Sequence, residues 1–169
     1  MTGVLPHYKS GPASKQVAGL IFGGQFVMPN TQAYGTTDFT VKLATATSPA
    51  LCEYVLGCAG NDANTVTTQT GAANSYGQPQ IDISVLTDYI PVYYGDVDIY
   101  VWYSGAVVEG TKLIIGSVAG TVITAGVGPA ADQVVGMCTH PGGVSAAMLT
   151  QQIGGQGSAA YFLGRARIF

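Results

Sequence analysis

Few residues in this chain are able to do chemistry, and their spacing serves no familiar reaction. Histidine occurs only at His7 and at His140, the latter ahead of Pro141-Gly142-Gly143. A general base must be held against a nucleophile, yet no G-x-S-x-G elbow is present to offer a serine. His140 therefore reads as a turn residue. Cys52, Cys58 and Cys138 lack a His or Cys partner at zinc-ligand spacing. Their odd number argues against a disulfide framework, so they read as reduced, largely buried thiols. Asp96-x-Asp98 offers two carboxylates to a hard cation, but calcium takes about six to eight oxygens and the D-x-[DN]-x-[DN]-G loop is missing. Those aspartates read as a turn residue and the solvent face of a strand. Gly155-Gln156-Gly157-Ser158-Ala159-Ala160 matches G-x-G-x-x-A formally, without a βαβ unit or a following acidic residue to hold a ribose. No catalytic residue, metal ligand or cofactor-binding residue is assigned, and the chain is not expected to be an enzyme.

Two features point to binding instead. Tyr93, Tyr94, Tyr100, Trp102 and Tyr103 lie close together, and Tyr and Trp are enriched at interfaces because they join large area to a polar tip. Tyr93, Tyr94, Tyr100 and Trp102 are candidate subunit-interface residues; ordinary core and rim packing is the competing reading. The charges are also sorted. All nine acidic residues lie between Asp38 and Asp132, with Lys42 and Lys112 among them. Lys9 and Lys15 precede that stretch, and Arg165 and Arg167 follow it. Basic ends on an acidic body would steer the termini onto an acidic partner surface, which makes these four cations candidate contacts. Scattered cations with no shared role are the alternative.

The elements that position these residues follow from composition. The chain has 169 residues, 47% of them hydrophobic and only 9% charged, with 24 glycines. A length of this order suits one domain and allows about 70% of the surface to be buried. Low charge and high apolar content exclude disorder. The formal net charge of −3 gives no basic footprint for nucleic acid. The most apolar run, 17–28, is interrupted by Gly19, Gly23 and Gly24 and falls short of the roughly 20 residues of a spanning helix. No membrane association is expected. No basic n-region with an apolar run opens the chain, so no signal peptide is expected either.

Residues 1–16, broken by Pro6, Gly11 and Pro12, read as an extended N-terminal arm. A single β-domain is expected over 17–169. Strands are expected at 17–22, 25–28, 39–45, 54–59, 81–86, 89–94, 97–103, 112–116, 121–125, 133–139 and 161–169. Ile81, Ile83 and Val85 alternate with Asp82 and Ser84; Val97, Ile99 and Val101 alternate with Asp98, Tyr100 and Trp102. That period of two marks half-buried strands. Pro91 suggests an edge strand or a bend. The polar stretch 61–80 reads as an exposed loop. Only 144–153 has helical composition, with Ser145 to cap it and Gly154 to end it. The fold class is all-β: a small barrel or sandwich of short antiparallel strands with at most one short helix.

The chain also resembles itself. TVKLATATSPALCEYVLGCA (40–59) and TVITAGVGPAADQVVGMC (121–138) both run Thr-Val, small residues, Pro, an apolar pair and Gly. Pro49 matches Pro129, Val55-Leu56 matches Val134-Val135, and Gly57 matches Gly136. Each is preceded by a similar strand, GGQFVM (23–28) and GTKLII (110–115). This suggests duplicated hairpin units over 23–59 and 110–138, each returning to a glycine at a bulge or a close backbone approach; chance similarity in a chain rich in Ala, Gly, Thr and Val is the competing reading.

The stretch SGAVVEGTKLIIGSVAGTVITAGVGPAADQVVGMC (104–138) resembles the capsid decoration, or cement, proteins of tailed bacteriophages. Gly110, Gly120-Thr121-Val122 and Val134-Val135-Gly136 fill the places of that family's turn glycines and apolar pairs, and Gly24 with Val55-Leu56-Gly57 fills them in the first copy. The loop at 61–80 and the end at 141–169 depart from the pattern. The resemblance implies a compact β-fold on the outer capsid surface of a virion, commonly a homotrimer. It would bridge neighbouring subunits of the major capsid protein against internal pressure, without enzymatic activity or cofactor. A carbohydrate-binding or adhesin-like β-module, suggested by the aromatic cluster and the Asn/Thr-rich loop, is the alternative.

Overall fold

The alternation in the sequence becomes strands with one dry face and one wet face. The computed structural model describes residues 12–30, 40–45, 55–60, 66–73, 79–83, 89–127, 134–153 and 160–169. Among them the strands are β1 (Ala13–Gln16), β2 (Phe26–Pro29), β3 (Val41–Leu43), β4 (Gly57–Ala59), β5 (Val66–Ala73), β6 (Pro79–Ile83), β7 (Tyr89–Tyr93), β8 (Val97–Tyr103), β9 (Lys112–Ile115), β10 (Val122–Thr124), β11 (Gly136–Cys138) and β12 (Phe162–Ile168). In β8, Val101 and Tyr103 are buried while Asp98 and Tyr100 are exposed. The expected all-β class is observed.

The internal repeat is larger than a hairpin. A five-stranded sheet runs in the order β1-β7-β4-β2-β3, and a closed barrel runs β10-β8-β12-β11-β9. Matching β1 to β8, β2 to β9, β3 to β10, β4 to β11 and β7 to β12 brings the ladders into one register. Val27 faces Gly57 and Leu43 as Leu113 faces Gly136 and Thr124. Cys58 faces Tyr93 as Met137 faces Arg167, and Ala13 faces Val92 as Ile99 faces Ala166. The barrel closes where Tyr103 runs parallel to Val122; in the first sheet Val17 meets Val41 in the same way. Ala18 N–H donates to the Val41 carbonyl at 2.8 Å, and Ser104 N–H to that of Val122 at 3.0 Å. The edges of the first sheet thus join, and it is a second barrel on the same plan.

Bonds outside the ladders repeat too. Gly24 N–H donates to Ala59 O at 2.7 Å, and Gly110 N–H to Cys138 O at 2.8 Å. Leu56 N–H to Val27 O and Val135 N–H to Leu113 O are both 2.9 Å. Residues 13–29 therefore map onto 99–115 without a gap, so Gly24, not Gly23, is the counterpart of Gly110. The two return glycines share one physical reason. The next strand passes so close that a Cβ at Gly57 would strike the Tyr93 carbonyl, and one at Gly136 the Arg167 carbonyl. This is the close backbone approach anticipated for them.

Each barrel has its own interior. Val17, Ile21, Val27, Val41, Ala59, Ile90 and Val92 fill the first. Tyr103, Leu113, Val122, Cys138, Ala166 and Ile168 contribute to the second. Burying each such large apolar side chain stabilises the fold by roughly 1.5–3 kcal/mol. The fillings compensate across the copies. Tyr103 stands where the first barrel has Val17, and Gly164 stands where it has Ile90; a Cβ on Gly164 would meet the Tyr103 ring at 3.1 Å. A large-for-small exchange is matched by a small-for-large one, as close packing demands.

Several expectations are corrected. The segment 13–16, expected in the arm, is strand β1 of the first barrel, while residues 1–11 lie outside the described residues. Within the body expected as a single domain over 17–169 the chain forms two barrels, the first beginning inside the expected arm. Of 17–22, only Val17 makes a bridge. The stretch read as a loop over 61–80 contains β5 and the start of β6, which pair as a hairpin; its threonines favour strands, a preference that its polarity masked. The helix expected at 144–153 is a single 3-10 turn, Ala146–Met148. Val144 instead exchanges backbone bonds with Val107 at 2.7 and 2.8 Å, and Gln151 bridges Tyr161. Pro91 lies in β7, between β1 and β4 rather than at an edge. Its carbonyl accepts from Gly60 N–H at 2.8 Å, so its missing N–H faces the point where β4 ends and costs little of the ladder.

Candidate functional site

The barrels meet at a joint. Phe26, Met28, Ala44 and Cys58, on the outer side of the first barrel, are buried in the same apolar cluster as the core of the second. Their counterparts on the second barrel are Lys112, Ile114, Ala125 and Met137, and each of these is exposed or half-buried. One position in the plan is apolar in one copy and polar or solvent-facing in the other because only the first copy's face is covered. Gly120 forms the wedge. Its carbonyl accepts from Phe26 N–H at 2.9 Å and its N–H donates to Ala44 O at 2.7 Å. Across the joint, the Trp102 indole N–H donates to Gly23 O at 2.8 Å, and Trp102 N–H to Gly24 O at 3.2 Å.

The four candidate interface aromatics therefore part company. Trp102 is committed to the joint, and Tyr93 packs half-buried against the shared cluster. Tyr94 lines the open end of the first barrel, together with Ala13, Lys15, Leu56 and Val92. Tyr100 is 56% exposed on the outer face of the second barrel. The structure brings it beside a candidate cation: Tyr100 faces Arg165 across β8 and β12, and Asp98 faces Arg167 in the same ladder.

On this outer face the charges pair. Arg167 lies 3.3 Å from the Asp98 carboxylate and 3.5 Å from that of Asp96. Thr139 Oγ1 donates to Asp98 Oδ1 at 3.0 Å. The Thr139 hydroxyl, with the Arg167 guanidinium behind it, holds the Asp98 carboxyl below its ordinary value. The Asp96-x-Asp98 pair thus faces an arginine. Arg165 is exposed, and its carbonyl accepts from the buried Tyr103 hydroxyl at 2.7 Å. Burial pushes the Tyr103 hydroxyl well above its usual range. Lys15 sits half-buried at the open end of the first barrel, and Lys9 lies outside the described residues.

The remaining sequence candidates take structural places. His140 closes a turn, with Gly143 N–H donating to its carbonyl at 2.9 Å, and its ring stacks edge-on against Phe162 at 5.0 Å. Cys58 and Cys138 are buried and unpaired; burial drives the Cys58 thiol far up, which keeps it from acting as a thiolate. Cys52, His7 and most of the 155–160 glycine motif lie outside the described residues. Among the described residues no His, Cys, Asp and Glu group is arranged to hold a metal ion, and no helix is long and apolar enough to cross a membrane.

Sequence reasoning missed the inward position of Lys15. The signal was present: Lys15 shares a face with Val17, and it maps onto the buried Val101. It stayed hidden because Gly19 with Gly105 and Gly24 with Gly110 are the only identities between 13–29 and 99–115. No protein-family description matches the chain, and no curated protein matches its sequence.

Proposed function

We propose that this chain is a structural virion protein that decorates the outer surface of a tailed-phage capsid. It would bridge neighbouring major capsid subunits, as a homotrimer. The observation that carries the reading is the place of the residues behind the family resemblance. Gly110, Gly120-Thr121-Val122 and Val134-Val135-Gly136 are the turn, the wedge and the close strand approach of one small barrel, and the plan occurs twice in the chain. A motif made of packing constraints supports a role in which the fold itself is the functional part. The closed barrels add to this, since they leave few free edges for uncontrolled association among many copies. Exposed Tyr100 and Arg165 form one outward surface suited to a partner protein.

The carbohydrate-binding reading loses its strongest residue, because Trp102 spends its indole on the joint. The test of decoration is cosedimentation of the purified chain with undecorated, expanded shells of the parent phage. Binding at micromolar concentration is expected, and its absence would refute the reading. Light scattering should give about three times 17.3 kDa for a preformed trimer; a monomer that trimerises only on the shell would move assembly to the lattice.

A further inference from the structure

The two barrels differ most usefully at one end. In the second, Ile99, Val101, Val135, Ala166 and Ile168 close the interior, and all but Ile99 are buried. The matching positions in the first are Ala13, Lys15, Leu56, Val92 and Tyr94, and they line an open cavity of about 320 Å³. Ala13 lacks the branched side chain of Ile99, and the cavity-lining Lys15 stands at the position of Val101. Such a cavity, mostly apolar with one or two polar groups, has the makeup of a recognition pocket. Lys15 makes no ion pair among the described residues. A half-buried cation beside apolar walls is stabilised by an incoming negative charge more than by water alone.

We propose that this end of the first barrel is a socket for a segment of a partner protein that carries an apolar or aromatic side chain next to a carboxylate. The apolar side chain enters over Leu56 and Val92, in the space that Ile99 and Val101 fill in the sister barrel. The carboxylate meets Lys15, on a wall that Tyr94 also lines. The chemistry follows from the lining; placing that segment on the major capsid protein rests on the decoration reading.

The test is a titration of the isotope-labelled full chain with N-acetyl-Phe-Asp-amide, followed at the amide signals of Ala13, Lys15, Leu56 and Val92. Saturable shifts confined to these residues are expected. Ala13→Ile, which copies the filled barrel, should abolish them, and Lys15→Glu should weaken binding about ten-fold. Retained signal dispersion checks that both variants fold. No shifts at millimolar probe, or shifts indifferent to both substitutions, would overturn the socket. So would socket signals that change with protein concentration, or that accept the probe only after removal of residues 1–11. Those outcomes would assign the socket to a second copy or to the chain's own N-terminal segment. Shell cosedimentation separates the two readings. Probe binding without shell binding refutes decoration and leaves the socket; shell binding that survives in both variants, with no probe binding, refutes the socket and leaves decoration.

Discussion

Gly120→Ala perturbs the joint without removing any side chain from either barrel interior. Gly120 has φ of +75°, and a Cβ there would stand 3.0 Å from both Gln25 Cβ and Leu43 Cδ2. Holding a non-glycine residue in that left-handed conformation costs about 1–2 kcal/mol. The crowding adds about 1 kcal/mol or more, because Gln25 is buried and has little room to retreat. If the wedge withdraws instead, the bonds to Phe26 and Ala44 are lost, at about 1 kcal/mol each. Either route gives a loss of about 2–4 kcal/mol. Trp102 is the sole tryptophan and sits in the joint, so its fluorescence reports this interface directly during urea unfolding. With a slope of roughly 2 kcal/mol per molar urea, the midpoint should fall by about 1–2 M. Trp102 emission should also shift to the red before the far-ultraviolet strand signal collapses. Gly126→Ala is the control, since no atom lies within 4 Å of its added Cβ; it should stay within about 0.5 kcal/mol of the parent. A Gly120→Ala midpoint indistinguishable from that of Gly126→Ala would refute the wedge and, with it, the account of how the barrels are joined.

Tyr103→Phe removes the buried donor to Arg165 O; because Thr139 N–H also reaches that carbonyl at 3.3 Å, the cost in chemical denaturation should be only about 1 kcal/mol. In a Cys52→Ser background, Cys58 and Cys138 should resist a thiol reagent at pH 8 until denaturant is added, since both are buried; rapid labelling of the native protein would contradict their placement. Asp98 has a folded pKa below its unfolded value, so its contribution to stability is present above the unfolded value and is lost as pH falls through the folded one. Asp98→Asn should therefore be slightly destabilised near neutrality and should converge with the parent in melting experiments at the acid end of the range; a constant offset down to the lowest pH would show that the Thr139 and Arg167 contacts do not set that titration.

Local structure was legible where one face of a strand is wet. Val97–Tyr103 declares itself by alternation and forms as expected, and the strand expected at 161–169 forms over Phe162–Ile168. The alternation of Ile81 and Ile83 with Asp82 marked one strand of the hairpin over 66–83, but its Thr-rich partner Val66–Ala73 was not legible, because polarity outweighed β-propensity there. The 3-10 turn at Ala146–Met148 was misread as a helix because Val144 and Gln151 are claimed by distant partners, Val107 and Tyr161. The candidate interface was legible only in part. Composition placed Tyr93, Tyr94, Tyr100 and Trp102 together, but Trp102, on the same face of β8 as Tyr100, is covered at the joint by the Gly23-Gly24 turn, and only Tyr100 among them is largely exposed.

By itself the sequence determined the class of fold, the burial of Cys58 and Cys138, and the return glycines Gly57 and Gly136. These depend on local pattern or on a backbone that leaves no room for a Cβ. Part of the repeat, over 23–59 and 110–138, was legible too, but only the tertiary structure decided that it extends to a whole barrel built twice. Barrel interiors require apolar volume rather than particular residues, so Val17 and Ile90 are free to become Tyr103 and Gly164 while the ladders keep their register. It also decided which copy's outer face is covered, which turned Phe26 and Lys112 into equivalent positions with opposite surroundings, and which barrel end was left open around Lys15.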